Sequence, residues 1–130
     1  MSANKPLEVL VIEDDAQMQN ILVASLDEFG VTAYVAGNML DALALARLKK
    51  YDFYITDGCY PLAPGKGAEE ACFKFYKELK KIRPDAEVLL ITGRNDFERE
   101  ARKLGMDFLS KADFTKNYRD VFTRHFGPHT

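Results

Sequence analysis

Apolar and polar positions along the chain follow two rhythms that take turns. Leu7 to Ile12 is a short apolar run broken only by Glu8, and it stops at three acids, Glu13, Asp14 and Asp15. A strand buried on both faces of a parallel sheet has this look. From Ala16 to Phe29 the rhythm changes. Met18, Leu22, Ser25, Leu26 and Phe29 recur at helical spacing, and Gly30 follows as a C-cap should. Val31 to Val35 predicts a second strand. Asn38 is a suitable N-cap for a helix with Met39, Ala42, Leu43 and Ala46 on one face. Phe53 to Thr56 predicts a third strand, ending at Asp57.

Gly58 to Gly67 is rich in turn residues and predicts a mobile loop. The next helix is expected from about Ala68 to Ile82, with Cys72, Phe75, Leu79 and Ile82 on one face and Pro84 just beyond. Val88 to Ile91 is the clearest strand, ending at Thr92. Phe97, Ala101 and Leu104 form a short helical stripe closed by Gly105. Asp107 to Ser110 predicts a fifth strand ending at Lys111, and a last helix carries Tyr118, Val121 and Phe122.

A strand–helix unit repeated five times implies an α/β fold with a parallel sheet covered on both faces. Right-handed crossovers leave few topologies open. The flavodoxin-like (βα)5 doubly wound sheet, strand order 2-1-3-4-5, suits this length. The 130 residues are expected to form a single domain with a core over about 7–126.

Composition narrows the function classes. The net charge of −2 offers no basic excess for direct nucleic-acid binding. No apolar run is long enough to span a membrane. Met1 to Pro6 lacks the apolar core of a signal peptide. Cys59 and Cys72 then read as reduced thiols, and a cytoplasmic location is expected.

Candidate chemistry collects where ligands bind such sheets, beyond the carboxyl ends of the strands. There stand Glu13, Asp14 and Asp15, then Asp57, then Thr92, then Lys111. Any one of these residues alone reads as a cap or turn former. In that order, at neighbouring strand ends, they form a chemical set. A hard cation would relieve the repulsion among the carboxylates, and magnesium needs only one or two of them. A remaining carboxylate can attack a phosphoryl group while the lysine and the hydroxyl meet its oxygens.

These motifs resemble the receiver domains of two-component response regulators over nearly the whole chain. Val11-Ile12-Glu13-Asp14-Asp15 is similar to the acidic end of the family's first strand. Asp57, with Pro61 four positions on and Gly65 eight on, is similar to the stretch around the phospho-acceptor. Ile91-Thr92-Gly93 and Phe108-Leu109-Ser110-Lys111 match the switch hydroxyl, the aromatic switch position and the family's lysine.

The resemblance implies a signalling switch, not an enzyme acting on outside substrates. Asp57 would accept a phosphoryl group from a sensor histidine kinase or a phosphotransfer protein, with Thr92 and Lys111 as catalytic partners. Mg2+ or Mn2+ would be held by Asp14, Glu13, Asp57 and the Cys59 backbone carbonyl, with Asp14 favoured over Glu13 as a direct ligand. Thr92 and Phe108 would form the switch. The side chains of Cys59 and Arg94 would modulate phosphoryl lifetime. A downstream protein target or a fused output domain would read the result. One alternative is a phosphorylation-independent pseudo-receiver acting as a protein-binding module. Another is a magnesium-dependent phosphohydrolase, disfavoured because the short chain leaves no cap domain.

Four departures from the family pattern shape the expectations. Ala112 follows Lys111 where proline with a cis bond is usual. A cis bond to alanine costs about 2.5–4 kcal/mol, so a trans bond or rearranged loop is expected, with Lys111 reaching less well. Asp57 and Thr92 lie 35 positions apart, more than usual. Thr92 and Lys111 lie only 19 apart, so the helix between them should be clipped. Tyr60 stands where methionine is common.

Other signals have simpler readings. Pro64-Gly65-Lys66-Gly67 fails as a phosphate loop, because position 60 is tyrosine and position 67 is glycine. Lys66 could still touch an incoming phosphoryl group. Cys59 could be a redox-sensitive thiol, but no basic neighbour is evident. His125 and His129 show no metal-ligand spacing. Phe73, if exposed, would be a partner contact.

Overall fold

The structure is a computed structural model and describes residues 6–127. In chain order it runs β1 (Glu8–Ile12), α1 (Ala16–Asp27), β2 (Thr32–Ala36), α2 (Met39–Leu48), β3 (Phe53–Thr56) and β4 (Cys59–Pro61). It continues with β5 (Ala68–Glu70), α3 (Cys72–Ile82), β6 (Val88–Thr92), α4 (Glu98–Leu104), β7 (Asp107–Ser110) and α5 (Lys111–Phe126).

Five strands form one parallel sheet in the order β2-β1-β3-β6-β7. With the small β4–β5 hairpin set aside, that is the predicted 2-1-3-4-5 order. Strand side chains alternate between the two faces, and this splits the core. Val9, Val11, Ile55, Leu89 and Ile91 pack with Leu22 and Leu26 of α1 and with Phe114, Tyr118 and Phe122 of α5. Leu10, Ile12, Tyr54 and Leu90 face the other way, onto Leu43 of α2, Phe75 and Leu79 of α3 and Ala101 of α4. The central strands are buried on both faces, which is why they read as unbroken apolar runs.

Caps fix the helix starts. The Asp15 side chain accepts the Met18 amide at 2.8 Å, and that of Asn38 accepts the Asp41 amide at 2.9 Å. Ser110 does the same for Asp113 at 3.2 Å, so α5 begins at Lys111 with no loop after β7. Gly105 ends α4 at φ 99°, in the left-handed region open to glycine. At seven residues, α4 is clipped as the spacing predicts, and a 3₁₀ turn over Asn95–Phe97 precedes it.

The stretch after Asp57 differs from expectation. It is not simply a loop: Cys59–Pro61 pairs antiparallel with Ala68–Glu70. Residues 68–70 are therefore strand, and α3 starts at Cys72 instead of Ala68. Each strand is three residues long and β5 is exposed throughout, so no apolar alternation marked the hairpin in the sequence. The Ala71 side chain cannot cap α3. The Gly58 carbonyl does so instead, accepting the amides of Ala71 at 3.0 Å and Cys72 at 3.2 Å. Helix α1 also ends two residues early, at Asp27. Its last turn tightens through Phe29 N–H to the Leu26 carbonyl before Gly30 turns the chain at φ 69°.

Candidate functional site

The carboxyl ends of β1, β3, β6 and β7 are adjacent in the sheet, and each delivers one part of the site. Asp57 is held by its own backbone, since its amide donates to the Ile12 carbonyl at 2.9 Å. This bond extends the β1–β3 ladder by one residue and sets Asp57 beside Glu13. The Glu13 amide in turn donates to the Ala36 carbonyl at 3.0 Å. Both acids therefore stand on regular sheet geometry, not on a floppy turn.

Glu13, Asp14 and Asp57 each present a carboxylate oxygen, and these oxygens lie within 4.8 Å of one another. Glu13 is buried, Asp57 half-buried and Asp14 exposed. Oxygen donors with one open side suit a hard cation that keeps several waters.

Lys111 supplies the opposing charge. Its Nζ lies 3.2 Å from Asp57 Oδ2 and 3.3 Å from Glu13 Oε1. The expectation that Lys111 reaches less well without the cis-proline is therefore corrected. All peptide bonds among the described residues are trans, that of Ala112 included. Because α5 starts directly at Lys111, its first turn carries the side chain over the carboxylates. Burial alone would lower the Lys111 pKa, but the charges of Asp57 and Glu13 outweigh it and the net shift is upward. Glu13 is also shifted upward, despite the Lys111 charge beside it. Burial first, and then the charge of Asp57, push it up to about 7.

The other Asp57 oxygen, Oδ1, accepts the Gly58 amide at 2.6 Å. Gly58 is buried and faces Thr92. A Cβ there would meet Thr92 Oγ1 at 2.6 Å and the Phe97 ring at 2.9 Å. Sequence reasoning passed over Gly58; its place directly after the acid was the one available signal. The buried Thr92 hydroxyl also accepts the Arg94 amide at 3.1 Å. The structure thus brings Glu13, Asp14, Asp57, Thr92 and Lys111 to one end of the sheet.

The remaining candidates sit around this centre. Cys59, two residues past Asp57, is half-buried and opens β4, where it pairs with Glu70 of β5. The Cys59 thiol is pushed up by burial and by Asp57, which opposes thiolate chemistry. Burial pushes the Cys72 thiol up to about 12 inside the core. Arg94 is exposed, forms a two-pronged pair with Asp96 at 2.9 and 2.7 Å, and lies over the Phe97 ring. Phe108 is half-buried on β7, beside a cleft lined by Asn95, Glu98, Arg102 and Asp113. Lys66 sits on the exposed hairpin tip.

Phe73 is half-buried against Phe97, with ring centroids 5.3 Å apart, so it is not the open partner contact considered from sequence. His125 packs against Phe53 with its ring tilted by 34° and lies 2.9 Å from Asp107 Oδ2, a packing role. His129 and Met1–Lys5 lie outside the described residues.

Residues 9–117 match the family described as the response regulator receiver domain. The chain is 32% identical over 118 residues to the transcriptional regulatory protein ZraR of Klebsiella oxytoca, covering 88% of this chain. It spans about a quarter (25%) of that relative's length. Among solved structures, the receiver domain of the sensor histidine kinase PA1611 from Pseudomonas aeruginosa PAO1 superposes with a TM-score of 0.78 at 20% identity. That match covers 95% of this chain and 99% of the other, and the other structure holds a magnesium ion in its active-site cleft. A response regulator from Burkholderia pseudomallei with a phosphorylated aspartic acid, calcium and citrate gives 0.65 at 28% identity, over 81% and 59% of the two chains. TrrA from Thermotoga maritima, in complex with Mg(2+)-BeF, gives 0.72 at 22% identity, over 88% and 96%.

Proposed function

Because the chain belongs to the response regulator receiver domain family of two-component signalling, we propose that it is a switch that accepts a phosphoryl group on Asp57. The donor is a phosphohistidine on a sensor histidine kinase or phosphotransfer protein. An Asp57 carboxylate oxygen forms the new O–P bond as the P–N bond breaks. The departing imidazole keeps the electron pair and is protonated.

One observation carries this reading: a single ammonium, Lys111 Nζ, spans Asp57 and Glu13 inside a three-carboxylate cluster. The same lysine that balances the resting carboxylates would meet the incoming phosphoryl oxygens. Asp14, Glu13, Asp57 and the Cys59 carbonyl would hold Mg2+ or Mn2+. When bound, the metal neutralises charge on the transferring group. Relatives in the same fold hold magnesium or a phosphorylated aspartate, which supports the assignment.

Thr92 would move toward the phosphoryl group, and Phe108 would follow into the space it leaves. A local charge change would then bias the α4–β7–α5 face between two shapes. A downstream protein or a fused output domain would read that face, with Cys59 and Arg94 setting the lifetime of the modified state. We take residues 1–130 as one receiver unit working in the cytoplasm. No helix among the described residues is long and apolar enough to cross a membrane.

The test is mass measurement of the intact protein after incubation with magnesium and a small acyl phosphate. A single phosphoryl adduct, absent in Asp57→Ala, is expected. No adduct from a folded protein would support the phosphorylation-independent pseudo-receiver.

A further inference from the structure

Tyr60 is fully buried and comes from the β4–β5 hairpin. Its hydroxyl lies 2.9 Å from Thr56 Oγ1. Thr56 is also fully buried, and its Oγ1 donates to the Asp57 carbonyl at 2.8 Å. A threonine hydroxyl has one proton. With that proton committed to the Asp57 carbonyl, Tyr60 must be the donor in the contact between the two hydroxyls. Burial pushes the phenol far above its ordinary pKa, so it keeps its proton.

A hydroxyl relay therefore runs from Tyr60 through Thr56 to the Asp57 carbonyl. That carbonyl shares one rigid peptide plane with the Gly58 amide. The same amide donates to Asp57 Oδ1 at 2.6 Å. Fixing one end of the plane fixes the other. Chained hydrogen bonds in a dry site also strengthen one another.

We propose that Tyr60, acting through Thr56, is a positioning residue for the Asp57 carboxylate: the relay clamps the Asp57–Gly58 peptide so that its N–H holds Oδ1 and leaves Oδ2 turned to Lys111. The inference rests on the phospho-acceptor reading and adds a part to it. A methionine at position 60, the side chain common in the family, could not donate to Thr56.

The test uses Tyr60→Phe, Thr56→Val, the double variant and Thr56→Ser in the full chain. Three quantities are read: phosphorylation rate with a small acyl phosphate and magnesium, thermal midpoint, and the NMR resonance of the Gly58 amide. Each of Tyr60→Phe and Thr56→Val should slow phosphorylation roughly fivefold, the factor one net hydrogen bond represents. The double variant should be no slower than the slower single, because the two hydroxyls act as one unit. The Gly58 amide should move upfield in all three, and Thr56→Ser should stay near wild type.

An unmoved Gly58 resonance, or a double variant whose loss is the product of the singles, overturns the relay. A lowered thermal midpoint with rate and resonance intact leaves only a packing role and overturns it too. If Thr56→Val does not fold, Tyr60→Phe decides on the same two readouts. If the wild type takes no phosphoryl group, the phospho-acceptor reading fails, and the Gly58 resonance alone still judges the relay.

Discussion

Gly58 and Thr92 approach so closely that a methyl group on Gly58 would lie 2.6 Å from the Thr92 hydroxyl. The residue after Asp57 and the hydroxyl from the neighbouring strand thus share one small space, with the Phe97 ring as its third wall. Gly58→Ala should cost about 1–3 kcal/mol, as overpacking a filled site does. Denaturant unfolding at constant m-value measures it. Adding Thr92→Ala should recover part of the loss, and two independent additive losses would contradict the contact.

The cluster of Glu13, Asp14 and Asp57 should make stability depend on divalent cations. Magnesium at about a hundred times its dissociation constant should raise stability by about 2.7 kcal/mol. Asp14→Asn should weaken binding while leaving the metal-free fold near wild type, because Asp14 is exposed. Thermal unfolding across a magnesium titration tests both statements. An Asp14→Asn protein that binds as tightly as wild type removes Asp14 from the metal site.

Glu13 gives the metal-free protein an inverted pH response. Its folded pKa is raised to about 7 from an ordinary 4.5, first by burial and then by Asp57. Between those values the folded state holds a proton that the unfolded chain has released. Its contribution is therefore fully present below about 4.5 and is lost as the pH rises through about 7. Unfolding free energies measured from pH 5 to 8 should fall in that window, and Glu13→Gln should flatten the curve. Magnesium affinity should rise across the same window, since a metal held by Glu13 would have to displace its proton.

Lys111 stabilises two acids at once. Lys111→Met should destabilise the metal-free protein by leaving Asp57 and Glu13 facing each other uncompensated. Saturating magnesium should restore part of that loss, since a cation returns positive charge to the cluster. Phosphorylation should slow even with magnesium present. Calorimetric midpoints with and without magnesium, beside adduct formation, separate the two effects. Equal destabilisation in both conditions would mean that Lys111 acts through packing alone.

Much of the fold was legible because period and burial coincide. The runs at Val9–Ile12 and Val88–Ile91 are apolar throughout, because β1 and β6 are covered on both faces. Asn38, Gly105 and the short α4 followed from caps and spacing. The β4–β5 hairpin did not. Its strands hold three residues each, too few for a period, and at the end away from the turn the Gly58 carbonyl accepts the Ala71 amide. Nothing local to Ala68–Glu70 separates a strand from the first turn of a helix.

The site divides in the same way. Chain order alone placed Glu13, Asp14, Asp57, Thr92 and Lys111 at neighbouring strand ends, because a parallel sheet repeats one direction and every strand finishes on the same edge. The sequence therefore determined which side chains could meet. Only the tertiary structure decided how they meet: that Lys111 reaches two carboxylates from a trans bond, that Gly58 leaves room for Thr92, and that a buried tyrosine from the hairpin connects through Thr56 to the Asp57 peptide. Those outcomes rest on distances of a few ångströms between residues up to 98 positions apart, as Glu13 and Lys111 are. Local pattern carries no record of such distances, because they are set by how the packed layers settle against one another.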